Sequence, residues 1–60
     1  MTVYVDEKRK TWWTGAGLDR RPWTSDARIS EELGMMPAGE WRDCVSMPGV
    51  RTAEYREIPK

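Results

Sequence analysis

The 60-residue sequence has no histidine, no phenylalanine and a single cysteine, Cys44. Without imidazole there is no Ser-His or Cys-His pair to activate a nucleophile, and no ring base that titrates near neutral pH. One thiol cannot close a loop within the chain. With no histidine beside it, it cannot build the usual nitrogen-and-sulfur tetrahedron of a structural zinc site. A lone cysteine fits a reducing compartment better than a secreted, disulfide-framed scaffold. Charge of one sign is lacking too: ten basic residues balance ten acidic ones, so the broad positive field of a general nucleic-acid binder is missing. No apolar run approaches the ~20 residues of a membrane span. The start, Met1-Thr2-Val3-Tyr4-Val5, has no basic stretch followed by an apolar one, as a signal peptide would. These absences lead to the expectation of a cytoplasmic protein with no membrane association, no cofactor, no metal and no catalytic residues.

What is present is indole. Four tryptophans, Trp12, Trp13, Trp23 and Trp41, join Tyr4 and Tyr55. Each such ring can bury about 150–250 Å². A chain this short buries only about 60% of its unfolded surface, so a few rings can decide whether it folds. The same side chains anchor protein interfaces. Composition alone leaves both uses open.

Residues 1–60 read as one small α+β domain. Thr2 to Asp6 is rich in β-branched and aromatic residues and reads as a strand, with Val3 and Val5 on one face and Tyr4 on the other. Glu7 to Lys10 forms a charged turn, and Thr11 to Thr14 pairs back as a second short strand. Gly15 to Pro22 reads as a loop. Thr24 or Ser25 can cap a helix that carries Asp26 in its first turn and Ile29, Leu33 and Met36 along one face. Gly34 suits a left-handed stop, and Pro37 ends the helix if it continues that far. Trp41 to Met47 alternates like a strand. Pro48-Gly49 fits the centre of a type II turn before a last strand over Val50 to Ile58. The expected fold is a small antiparallel sheet of three to four strands, β-β-α-β-β or β-α-β-β, with one short helix packed on one face.

The remaining motifs are weak. Gly15-Ala16-Gly17 lacks the lysine-serine/threonine ending of a phosphate loop. Asp6-Glu7 and Glu31-Glu32 are sequence neighbours whose side chains diverge on a strand or a helix. Ile29 to Met35 resembles the opening of a helix-turn-helix, but the segment after it, Pro37 to Asp43, holds a glycine, two acids and one arginine and makes a poor groove reader. The basic-aromatic stretch says more: Lys8, Arg9 and Lys10 run into Trp12 and Trp13, and Arg20 and Arg21 lead into Trp23. Cations beside flat rings suit a single-stranded nucleic acid or a protein contact, where arginine and tryptophan are hot-spot residues. The balanced charge favours the protein. The expected partner-binding residues are therefore Trp12, Trp13, Arg20, Arg21 and Trp23, insofar as they are exposed.

The opening Val3-Tyr4-Val5-Asp6-Glu7, the Leu33-Gly34 pair followed by Trp41, and the closing Ala53-Glu54-Tyr55-Arg56-Glu57 together resemble a family of short, uncharacterised bacterial and phage proteins that open V-Y-V-D-[DE]. This chain is shorter than that family and lacks its histidines. The resemblance implies a bacterial or phage setting. It frames the expectation of a small phage- or mobile-element-type protein that binds and modulates a host protein, for example by inhibiting it as an anti-CRISPR does. A single-stranded nucleic-acid binder, a small DNA-binding module and a structural subunit of a homo-oligomer are the alternatives.

Overall fold

The computed structural model describes residues 1–15 and 19–59; residues 16–18 of the expected loop lie outside the described residues. Six strands and one helix follow in order: β1 (Thr2–Asp6), β2 (Thr11–Thr14), β3 (Arg21–Pro22), α1 (Asp26–Leu33), β4 (Met35–Pro37), β5 (Arg42–Asp43) and β6 (Val50–Glu57). All pairings are antiparallel, with strand order β3-β2-β1-β6-β4. Strand β5 pairs β6 as well, at its opposite end: Arg42 faces Thr52, whereas Pro37 of β4 faces Tyr55. The architecture is α+β, as expected, with more strands than the expected three to four. The additional ones are only two or three residues long and exist because β2 and β6 offer them a ladder.

Local chemistry explains the longer elements. In the β1–β2 turn the Arg9 amide donates to Asp6 Oδ1 at 3.1 Å. Lys10 takes a positive φ of 56°, and its carbonyl accepts from the Trp23 amide at 2.8 Å. Ser25 caps α1, its hydroxyl accepting from the Arg28 amide, and Asp26 adds a negative charge at the positive end of the helix. Gly34 ends the helix at φ 64°, ψ 31°, its amide donating to the Ser30 carbonyl. Only glycine adopts that conformation cheaply. Met36 therefore falls in β4 and not on the helix face. Gly49, at φ 85°, sits in the turn closed by the Val50 amide on the Met47 carbonyl at 3.1 Å. Upstream, the expected strand over Trp41 to Met47 shrinks to Arg42–Asp43, because the chain already turns at Cys44, whose carbonyl accepts from the Met47 amide.

The helix lies on one face of the sheet. Val3 and Val5 of β1, Trp12 of β2, Ala53 and Tyr55 of β6 and Ile29 of α1 form the core, with Trp23, Leu33, Met35 and Trp41 packed around it. The ladder pairs Val5 with Trp12 and Val3 with Ala53, and paired residues share a face. Tyr4, which pairs with both Trp13 and Thr52, therefore stands with them on the opposite face. No charged or polar residue is fully buried among the described residues.

Candidate recognition surface

The five residues singled out from sequence do not form one patch. Trp12 and Trp13 are adjacent on β2 and so point to opposite faces. Trp12, 1% exposed, belongs to the core under the helix and offers a partner no surface, because a ring paired with Val5 must fill the sheet–helix interior. Trp13 is 4% exposed on the open face. Arg21 lies over Trp12 at 5.1 Å and pairs with Asp19. Arg20 lies over Trp13 at 4.1 Å. Trp23 is half-buried, donates its indole N–H to Asp26 at 3.2 Å, and carries Lys10 above its ring at 5.1 Å. Each of these cations is thus held over an indole, a contact worth about 0.5–1 kcal/mol at an exposed site.

Trp13 is occupied on both sides. It stacks on Tyr4 with centroids 5.7 Å apart and planes 15° from parallel. Because β1 and β3 flank β2 on opposite sides, Tyr4 and Arg20 cover opposite faces of the indole. The Trp12–Arg21 pairing, continued by one residue, sets Arg20 beside Trp13. On the other side, Tyr4 pairs Thr52, and Thr52 pairs Arg42. The result is one row across the sheet: Arg20, Trp13, Tyr4, Thr52, Arg42. Next to it an open groove of about 500 Å³ is lined by Thr2, Tyr4, Gly39, Glu40, Arg42 and Thr52, among others.

Ion pairing differs between the two faces. On the helix side, the Arg51 guanidinium holds both carboxylate oxygens of Asp26, at 3.2 and 3.4 Å. Its Nε comes within 2.6 Å of Glu7, though that N–H is not aimed along the line to the carboxylate. The same group lies 4.6 Å from the Trp41 ring and 6.0 Å from Trp23. Arg28 reaches Glu31 and Glu32 from the helix. On the open face, Arg20, Arg42 and Arg56 make no ion pair among the described residues. Glu54, on that same face, accepts from the Thr2 hydroxyl and lies near the Met1 amine. The Thr2 hydrogen bond, helped by the amine's charge and opposed by desolvation, holds its carboxyl below the ordinary value.

Chemistry-bearing groups are sparse. The Cys44 Sγ lies 3.5 Å from the Ser46 Oγ. No group of three metal-ligating side chains converges among the described residues. No described helix is long and apolar enough to cross a membrane. Burial pushes the Tyr55 phenol above its ordinary value. Its hydroxyl lies near Ser30 but makes no hydrogen bond of acceptable geometry.

Sequence reasoning missed Tyr4, Thr52 and Arg42 as surface partners of Arg20. The alternation of Val3, Tyr4 and Val5 already set Tyr4 apart from the core. The alternation over Trp41 to Met47 includes Arg42 but does not say that it pairs with Thr52 of β6, with Tyr4 beyond it. Comparison of the chain with protein-family models, curated proteins and solved structures finds no match.

Proposed function

We propose that this protein is a non-catalytic binding module that recognises another protein through arginines mounted on indole rings. The observation that carries the reading is the arrangement around Trp13. Both ring faces are taken, one by Tyr4 and one by Arg20, and Trp12 is inside. A single-strand binder needs free ring faces on which bases stack. Here the groups turned outward are guanidiniums, which suit carboxylates of a protein surface. Inhibition of a host protein by a phage- or mobile-element-type protein is the biological form we favour, on the resemblance of Val3–Glu7, Leu33-Gly34 and Ala53–Glu57 to short bacterial and phage proteins.

The test is capture from a bacterial host, followed by binding of the purified captured protein to the intact chain and to Arg20→Ala. Weaker binding by the folded variant supports the reading. A complex formed with single-stranded oligonucleotide instead, weakening log-linearly with salt at a slope near −0.7 per phosphate contacted, overturns it.

A further inference from the structure

The helix-side arginines are neutralised within the molecule, whereas those of the open face are not. Arg21, Arg28 and Arg51 each have a carboxylate partner. Arg20 and Arg42, at the two ends of the row through Trp13, Tyr4 and Thr52, have none among the described residues. The row crosses four strand spacings, or about 19 Å at roughly 4.8 Å each. Between its ends lie a half-buried aromatic ring, Tyr4, and a threonine hydroxyl, with the groove alongside.

We propose that this face takes an extended acidic segment of a partner protein lying across the strands, with one carboxylate on Arg20, another on Arg42, and the intervening chain over Tyr4 and Thr52. The inference rests on the protein-binding reading above and adds the face and the chemistry of the occupant. At about 3.4 Å per extended residue, the two carboxylates are roughly six residues apart. A guanidinium fork donates two parallel N–H bonds to each carboxylate. Arg20 is already held over Trp13, 4.1 Å from the ring centroid, so less freedom is lost when it binds. Of the acids near the row, Glu54, which also lines the groove, is held by Thr2 and the Met1 amine, Asp6 by Arg9 and Asp19 by Arg21. Glu40, exposed at the groove, is left to oppose an acidic ligand.

The test titrates the isotope-labelled full chain, followed by NMR, with a synthetic peptide carrying two glutamates about six residues apart. The same peptide with glutamine at both positions and a thymidine oligonucleotide are run in parallel. Saturable shifts at Tyr4, Trp13, Thr52 and Arg42, absent with the glutamine peptide, are expected. Arg42→Gln, with an unchanged spectrum elsewhere, should weaken binding about tenfold, and Glu40→Gln should tighten it. Equal binding of the glutamine peptide, shifts confined to the helix side, or no saturable binding would each overturn the proposal. The protein-binding reading would then still be judged by Arg20→Ala against the captured partner. Tighter binding of the oligonucleotide on the same face would overturn both.

Discussion

Trp12 packs with Val3, Val5 and Ile29 beneath the helix. Truncating it to alanine removes the largest side chain in the core and should cost about 3–5 kcal/mol, enough to unfold most of so small a domain. Arg20 sits on the outside of the Trp13 stack, so Arg20→Ala should cost no more than about 1 kcal/mol. Thermal melts followed by circular dichroism separate the two: a lost transition for the first, a near-unchanged one for the second. Tyr55 provides a pH-dependent test. Its phenol is raised by burial, so the folded state keeps its proton to higher pH than the unfolded chain, whose tyrosines titrate near 10. The stability it contributes is therefore present below about pH 10 and is lost as pH rises beyond that. Tyr55→Phe should remove that alkaline loss without lowering the melting temperature at pH 7, because it also deletes a buried hydroxyl lacking a partner.

Ser25 and Gly34 bound the helix, and their effects should be local. Ser25→Ala leaves the Arg28 amide without its acceptor and should cost about 1 kcal/mol. Gly34→Ala meets no neighbouring atom within 4 Å, so its cost is conformational, about 1–2 kcal/mol for the left-handed backbone. Denaturant melts of both variants check these figures. These same elements were legible from sequence, since a cap, a stop and a proline-glycine turn each act within a few residues. Strands β1 and β2 were legible from their β-branched and aromatic residues, and Val3 and Val5 declare the buried face of β1 by alternation, whereas the adjacent Trp12 and Trp13 do not declare that of β2. Strands β3 and β4 were not, because Arg21–Pro22 and Met35–Pro37 are held by what lies beside them and not by their own propensity; β5 was legible as part of Trp41 to Met47 but not in its bounds, since the turn at Cys44 cuts it to Arg42–Asp43. The candidate surface suffered from both limits. Arg20 and Trp13 were visible as neighbours of the right kind. Which of Trp12 and Trp13 faced inward depended on β2 pairing with β1 in one register, and Arg42 joined them only through β6.

In the molecule as a whole, Arg51 ties three regions together: the β1–β2 turn through Glu7, the start of the helix through Asp26, and the loop around Trp41 by ring contact. Arg51→Met keeps some of the packing but leaves Asp26 and Glu7 without their cation. It should lower stability by about 2–3 kcal/mol, less than a fully buried pair because Glu7 and Asp26 are partly solvated, a loss measurable by urea unfolding. A folded variant that has also lost partner affinity would show that the two faces are coupled through the sheet. Strand β6 has the widest reach of any element, pairing β1 along one edge and both β4 and β5 along the other. A chain cut after Gly49 keeps the β1–β2 hairpin and the helix but loses the ladder that joins them. A synthetic peptide of residues 50–57 added in trans should therefore act as the missing keystone, so that two separately silent pieces reconstitute the fold when mixed.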